Sequence, residues 1–235
     1  MLYAFPYGSR QITLNINGSH SDSVHTISYE SKPAHPSARM IEQALNEPIA
    51  ATLLQEAAQG AKNAVILISD GSRLSPSSHF LEHLIERLQQ AGIADHHIKI
   101  IIALGAHRPH TEAEIIELVG SSIYRLIAVA NHSPLSSDCV YLGQTNNGTP
   151  IEINKDVVQA DFVLVTGNVE PHGLTGFSGG MKAIFPGTAS RRSIEHNHAL
   201  SHQHRASPGN VNHPIRLDFE EMMQWLPRKP YLFNV

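Results

Sequence analysis

Residues 64–103 have the sequence AVILISDGSRLSPSSHFLEHLIERLQQAGIADHHIKIIIA. Apolar, β-forming runs occupy both ends of this stretch, at Ala64–Ser69 and at Ile98–Ala103. Between them, four apolar residues recur at the spacing that places them on one face of a helix: Leu81, Leu84, Ile85 and Leu88. We expect Ser75-Pro76 to cap that helix. A strand, a helix and a second strand in succession indicate a parallel sheet covered by helices.

The same alternation continues on both sides of this stretch. Further strands are predicted where apolar or alternating runs occur: residues 10–16 (half-buried), 124–130 and 161–166. Further helices are predicted over three segments. The first covers about 37–59 and is interrupted or restarted at Pro48. The second covers 111–120, with a capping box at Thr111–Glu114 and an end at Gly120, and the third is a short helix from the Asn154 cap to Ala160. Residues 17–36 are polar, and we expect a loop or a weak strand there. The whole pattern predicts an α/β fold, with a doubly wound, largely parallel, Rossmann-like sheet and helices on both faces.

The composition excludes several classes of protein. The formal charge is −4 and no basic stripe is present, so we expect no nucleic-acid partner. The single cysteine, Cys139, excludes an internal disulfide and a cysteine-based zinc site. No apolar run reaches the roughly 20 residues that span a bilayer, and the N-terminal MLYAFPYGSR lacks the pattern of a signal peptide. We therefore expect a cytoplasmic protein without a membrane partner.

Three loops contain the side chains that are most suited to chemistry. The first, Asp70-Gly71-Ser72-Arg73, and the second, Gly105-Ala106-His107-Arg108-Pro109-His110-Thr111, each follow a strand of the opening stretch. The third, PHGLTGFSGGMKAIFPGTASRRSIEHNH at residues 171–198, follows the predicted strand at 161–166. Because parallel strands present their carboxyl ends at one edge of a sheet, we expect these loops to converge. Glycines in the third loop let the backbone approach a ligand, and Lys182 can pair with a phosphate or bond covalently to a cofactor.

Together with Gly148-Thr149-Pro150-Ile151, these motifs resemble in order and spacing the N-terminal domain of the nickel-dependent lactate racemase family. The resemblance implies a racemase or epimerase of a small 2-hydroxy acid, which inverts C2 by reversible hydride transfer. The implied cofactor is a nickel-pincer nucleotide, pyridinium-3-thioamide-5-thiocarboxylic acid mononucleotide with Ni²⁺, and cofactor-biosynthesis proteins are implied as partners. Ser72 and Leu74 replace the usual threonine and proline of the family, which leaves the identity of the 2-hydroxy acid open.

The resemblance also implies roles for single residues. Lys182 would carry the cofactor through a thioamide bond, and His198 would bind nickel, for which neutral imidazole is a good ligand. His107 and His172 would exchange the hydroxyl proton of the substrate as an acid/base pair. Arg73 would hold the substrate carboxylate in a bidentate fork. Five further residues would line the cofactor: Asp70, Ser72, Ser178, Gly179 and Gly180.

A domain boundary near residue 226 is also implied. Residues 1–226 are predicted to form the cofactor-binding α/β domain, with a last helix at Asp218–Leu226. Residues 227–235 are predicted to be a linker, with the start of a strand, toward a second domain that this chain lacks. Without that domain, water would remain in the site and weaken its electrostatics, so the isolated domain could be inactive.

The residues alone leave several alternatives open. The chain could be a non-catalytic domain that binds a nucleotide or a cofactor. It could also be a zinc-dependent hydrolase built on a cluster of histidines: His196, His198, His202, His204 and His213. His196 competes with His198 as the nickel ligand. Arg108 and His110 could be structural, or they could orient His107.

Overall fold

The computed structural model describes residues 2–7, 10–16, 36–73, 75–205 and 207–235. The chain divides into two compact units, Met1–Ala34 and His35–Val235. In the first unit, β1 (Leu2–Tyr7) and β2 (Arg10–Asn15) pair as an antiparallel hairpin. The predicted strand at 10–16 is confirmed, but its half-burial is wrong, because all six residues of β2 are exposed. Of the predicted loop or weak strand at 17–36, residues 17–35 lie outside the described residues, as does Leu74.

The second unit contains the remaining elements. Its strands are, in chain order, β3 (Ala64–Ser69), β4 (Ile98–Ala103), β5 (Ala128–Asn131), β6 (Cys139–Gln144), β7 (Pro150–Asn154), β8 (Phe162–Gly167), β9 (Pro171–His172), β10 (Gly176–Phe177) and β11 (Tyr231–Asn234). Its α-helices are α1 (Ala38–Asn46), α2 (Leu54–Ala57), α3 (Ser77–Gln90), α4 (Glu112–Val119), α5 (Ser121–Leu126), α6 (Lys155–Gln159), α7 (Arg191–Ala199) and α8 (Pro214–Met223).

Five of these strands form a parallel sheet in the order β11–β8–β3–β4–β5. Successive side chains of a strand point to opposite faces, and here both faces are buried. On one face, Ile66 and Ile100 belong to the core that includes α1 to α5. On the other face, Leu67 and Ile101 belong to the core that includes β7, α6, α7 and α8. The predicted doubly wound α/β fold with helices on both faces is therefore confirmed.

Most element ends follow from local rules. Thr111 and Glu114 form the predicted capping box of α4, and the Asn154 side chain caps α6 by accepting from Asp156. The predicted cap at Ser75-Pro76 has the right position, since Pro76 is the N-cap residue of α3, but it forms no side-chain cap hydrogen bond. Thr111 and Asn154 succeed where Ser75 fails because their side chains reach the free N–H groups of the helix start.

Two predicted elements differ from the structure. The helix over 37–59 is split into α1 and α2, and the chain does not resume helical structure until Leu54, well after Pro48. Glu47 ends α1 with φ −127° and ψ 63°, which fits the bias of a residue before proline against the helical region. The predicted strand at 124–130 begins only at Ala128, because residues 124–126 belong to α5.

The strand order reverses between β3 and β8. From β3 the chain builds outward to β4 and β5 on one side, and it later adds β8 and β11 on the other side. At such a reversal the loops after neighbouring strands separate and leave a crevice, here bordered by the loops after β3, β4 and β8. Tyr231–Asn234, in the predicted linker, pairs with β8 as an edge strand of this sheet, and the predicted boundary at 226/227 stays a prediction. Across the described part of the chain, no helix combines the length and the apolar character needed to cross a membrane.

Candidate active site

A cavity of about 340 Å³ lies at this crevice, beyond the carboxyl ends of β3, β4 and β8. Helices α7 and α8 also contribute to its wall through residues such as Ile194 and Phe219. Eight of the residues predicted to form a site line this cavity: Asp70, Arg73, His107, His172, Ser178, Gly179, Lys182 and His198. The three loops therefore converge, as the parallel strands led us to expect. Ser72 and Gly180 are not among the lining residues.

Asp70 and His107 form a pair that joins the loops after β3 and β4. The Nδ1 atom of His107 lies 2.5 Å from Oδ2 of the buried Asp70 carboxylate. The other oxygen of Asp70 accepts hydrogen bonds from the backbone N–H and the hydroxyl of Ser72. Burial would raise the pKa of Asp70, but the hydrogen bonds from Ser72 and His107 outweigh it and lower the pKa. An ionised Asp70 fixes the proton of neutral His107 on Nδ1, so Nε2 is left as an acceptor.

His172 is held in the opposite tautomer. Its Nδ1 accepts a hydrogen bond of 3.2 Å from the backbone N–H of Leu174, so the neutral ring carries its proton on Nε2. Burial, with a smaller effect from the nearby charges of Lys182 and Arg73, lowers the pKa of His172 to about 4. At neutral pH His172 is therefore an uncharged donor through Nε2, whereas the neutral form of His107 offers its Nε2 as an acceptor.

Lys182 is a half-buried amine beside other cations. Burial, together with the guanidinium of Arg73, lowers its pKa to about 8, while Glu170 opposes the shift. A guanidinium nitrogen of Arg73 lies 3.8 Å from a carboxylate oxygen of Glu170, and both side chains are 40% exposed, so this ion pair is weak and screened by solvent. A lysine of lowered pKa has a larger fraction of free amine at neutral pH, which is the form that acts as a nucleophile.

The glycines before Lys182 serve the packing of the backbone. A Cβ atom on Gly167, at the end of β8, would lie 2.9 Å from Cα of Gly179. Gly179 also has a φ of 78°, a conformation that favours glycine. The backbone N–H of Gly180 donates to Oδ1 of Asn234 in β11. The loop thus passes close to the sheet and is tied to its edge strand, which sets where Lys182 enters the cavity.

His198 lies near the end of α7 with one ring nitrogen unused. Its Nδ1 is buried and has no hydrogen-bond partner among the described residues. Burial lowers the pKa of His198 and Lys182 adds to the shift. The backbone of Ile194, one turn earlier in α7, partly offsets this shift by favouring the protonated ring. By contrast His196 is exposed, lies outside the cavity lining and has its Nδ1 3.0 Å from the hydroxyl of Thr149.

Two other histidines of the predicted zinc cluster, His204 and His213, make contacts of their own. Nε2 of His213 lies 3.0 Å from the carbonyl of Arg205, and its ring meets that of His204 at a centroid distance of 6.2 Å. Within the described ranges, no three His, Cys, Asp or Glu side chains are grouped as ligands of one metal ion. A protein-only zinc site, which needs at least three such ligands, thus has no support there.

Several residues of the site escape prediction from sequence. Glu170, beside Arg73, and Asn197, in the cavity wall, carry no recognisable motif. Asp218 is buried, and its carboxylate accepts hydrogen bonds from four side chains: Thr145, Asn147, Thr149 and Asn197. This network ties the β6–β7 turn to α7 and α8. The motif around Thr149 therefore supports the cavity wall rather than lining the cavity.

Known proteins resemble this chain over most of its length. Residues 7–209 match the family described as "Lactate racemase N-terminal domain". A protein named lactate racemase from Lactiplantibacillus plantarum is 33% identical over 214 residues, which make up 88% of this chain and 50% of that protein. A second lactate racemase, from Thermoanaerobacterium thermosaccharolyticum, is 34% identical over 183 residues, 76% of this chain and 43% of that protein. The chain spans about half the length of the curated relatives it matches.

Solved structures agree with the fold. The lactate racemase apoprotein from Thermoanaerobacterium thermosaccharolyticum superposes with a TM-score of 0.80 at 30% sequence identity, over 96% of this chain and 54% of that one. A protein from Thermotoga maritima superposes with a TM-score of 0.66 at 20% identity, over 85% of this chain and 50% of that one, which supports the fold alone.

Proposed function

The chain belongs to the lactate racemase N-terminal domain family, and from this premise we propose that it forms the cofactor-binding part of a nickel-dependent racemase or epimerase of a small 2-hydroxy acid. The observation that carries the proposal is the single cavity shared by Lys182, His198, His107 and His172. A reactive amine, a neutral imidazole and two proton carriers are the groups that such an enzyme needs.

The residues present fit the proposed nickel-pincer nucleotide. Lys182 offers a partly free amine for the thioamide bond, and His198 lines the cavity with a lowered pKa, which favours the neutral imidazole that binds nickel. When bound, the cofactor supplies a reversible hydride acceptor for C2 of the substrate. Asp70, Ser72, Ser178, Gly179 and Gly180 are proposed to surround it.

The substrate would be held by its carboxylate and deprotonated at its hydroxyl. Arg73 presents a guanidinium to the cavity, and its contact with Glu170, at 3.8 Å, is loose enough for a substrate carboxylate to replace. In one direction Nε2 of His107 accepts the hydroxyl proton, and Asp70 stabilises the imidazolium that forms. To return a proton from its own side, His172 must first take one up from solvent, while the His107 imidazolium releases one; the His172 imidazolium would then give its Nε2 proton to the keto oxygen.

The wider setting is proposed on the family resemblance. We propose that residues 1–226 act with a second domain that closes the cavity against water. Cofactor-biosynthesis proteins would load the nucleotide, and the compartment would be the cytoplasm.

The proposal is tested by co-producing the chain with enzymes that make the pincer nucleotide. Intact-mass and metal analysis should find one covalent adduct together with nickel, and Lys182→Ala should abolish both. Lys62→Ala is the matched control, because Lys62 is exposed and lies outside the cavity. An adduct and nickel that persist in Lys182→Ala would refute the anchor.

Turnover is assayed with the separate enantiomers of lactate and of longer 2-hydroxy acids. Conversion of one enantiomer to the other, lowered by His107→Ala and by His172→Ala without loss of the adduct, supports the proposal. A loaded chain that converts no 2-hydroxy acid, alone or with a supplied second domain, would favour a cofactor-binding domain instead.

A further inference from the structure

Two hydrogen bonds join the loops after β3 and β4, and they run in opposite directions. His107 of the second loop meets Asp70 of the first at 2.5 Å, with the imidazole as donor. Gly71 of the first loop donates its backbone N–H to Nε2 of His110 in the second, at 2.9 Å. Asp70 and Gly71 are adjacent in sequence, so the position of the Asp70 carboxylate depends on where Gly71 is held.

The ring of His110 is itself fixed. Its backbone N–H donates to Oδ1 of Asn131, at 3.1 Å, and its carbonyl accepts from Nδ2 of Asn131, at 2.9 Å. The His110 side chain is 12% exposed. Its backbone and ring therefore have little freedom to follow a displaced Gly71, and the loop after β4 is the fixed partner.

The hydrogen bond to Gly71 defines the protonation state of His110. A backbone N–H can only donate, so Nε2 must be unprotonated and the neutral ring carries its proton on Nδ1. That Nδ1 is buried and without a hydrogen-bond partner among the described residues; Glu114 lies 3.8 Å away, beyond hydrogen-bond range. Leaving the buried Nδ1 without a partner costs free energy. That the ring nevertheless accepts from Gly71 through Nε2 fits a role for His110 beyond filling space.

We propose that His110 is a positioning residue that acts on His107 through the loop after β3. By accepting from Gly71, its neutral imidazole keeps Asp70 in place to orient His107. This inference rests on the proposed function in one respect, which is that His107 transfers the hydroxyl proton of the substrate. It also separates His110 from its neighbour Arg108, which binds Glu114 in a bidentate fork at 2.9 and 2.6 Å and so supports the cap of α4.

The first test measures the two hydrogen bonds without any cofactor. In His110→Leu the Gly71 amide should exchange with solvent about fivefold faster, as expected for loss of one neutral hydrogen bond. The Nδ1 resonance of His107, observed with ¹⁵N-labelled histidine, should move away from its hydrogen-bonded position. His110→Gln offers an amide oxygen near the position of Nε2, and it should restore both signals.

Arg108→Ala is the matched control, since it weakens the cap of α4 in the same loop. It should lower the midpoint of thermal unfolding but leave the Gly71 exchange rate and the His107 resonance unchanged. If His110→Leu leaves both signals as in the wild type, or if Arg108→Ala moves them as much, the positioning role is overturned. If His110→Leu does not fold, His110→Gln decides: wild-type signals support the role, and lost protection of Gly71 contradicts it.

A second measurement uses the loaded enzyme. His110→Leu should lower kcat on the order of tenfold with little change in KM, because a misplaced base slows the chemical step rather than binding. His110→Gln should recover most of kcat. If His110→Leu alters the His107 and Gly71 signals but the loaded wild type shows no turnover, the proposed reaction is contradicted and the positioning of His107 is not. The two failures can therefore be told apart.

Discussion

Replacement of Lys182 by methionine should stabilise the folded chain near neutral pH. A pKa of about 8 instead of 10.5 corresponds to about 3 kcal/mol in favour of the neutral amine. Because Lys182 is only half-buried and solvent screens part of this effect, we expect roughly 1.5 kcal/mol at pH 7. Methionine keeps the apolar stem and removes the charge that burial and Arg73 oppose.

The pH dependence gives the prediction its sign. Between about pH 8 and pH 10.5 the unfolded chain binds a proton at Lys182 that the folded chain does not, so stability of the wild type rises with pH in that window. The advantage of Lys182→Met should therefore fall to less than half between about pH 7 and pH 9.5. Urea unfolding at both pH values measures it, with Lys62→Met as the control for loss of an exposed amine. A variant that is no more stable than the wild type at pH 7, or whose gain is the same at both pH values, would refute the reasoning.

Three further predictions concern charge and packing. Arg73→Gln should raise the pKa of His172 above about 4 in an NMR titration, because one of the cations that lowers it is removed; an unchanged titration would assign the whole shift to burial and the remaining charges. Gly143→Val should destabilise the fold on the order of 2 kcal/mol in urea unfolding, since the new Cβ would lie 2.7 Å from the indole of Trp225; equal midpoints would contradict this packing. Asp218→Leu should cost on the order of 3 kcal/mol by leaving three buried donors, and that of the exposed Asn147, without their acceptor, and Asp218→Asn should cost less; the reverse order would argue against the network.

The strands of the main sheet are predictable because both faces are buried. Continuous apolar runs at β3, β4 and β8 have few other stable arrangements, and the helix between β3 and β4 fixes them as parallel. Short peripheral elements are harder. Residues 124–126 have a composition that suits a strand, yet they form α5, which places Ile123 in the core. Over six residues, tertiary packing outweighs local preference.

The alternating pattern of β2 fails for a related reason. Alternation states which side chains could share a buried face, but burial also needs a second layer, and all six residues of β2 are exposed. The polar turn before β7 illustrates the opposite error. Asn147-Gly148 is a strong hairpin signal, and β6 and β7 do pair as a hairpin, although we predict no strand there.

For the candidate site, the sequence predicts which loops meet but not how their atoms are paired. Convergence follows from parallel strands, since each loop leaves the same edge. The tautomers of His107 and His172 depend instead on contacts with Asp70 and with the backbone of Leu174, which no spacing rule gives. Contacts across long stretches of sequence, such as that of Asp218 with Thr145, are set only when the two cores are packed.

The charges that face the cavity favour a ligand of negative charge. Arg73 and Lys182 face it together, Glu170 compensates them only loosely, and two imidazoles nearby have lowered pKa values. This arrangement disfavours protons while no anion is bound, which is the origin of the predicted gain in Lys182→Met. An anionic ligand such as a carboxylate or a phosphate would reverse the balance, so its binding should be accompanied by proton uptake and should weaken as pH rises through about 8. Covalent use of the Lys182 amine removes that group from the titration. We therefore expect the cavity to bind free anions most tightly below the pKa of Lys182 and the amine to react most readily above it.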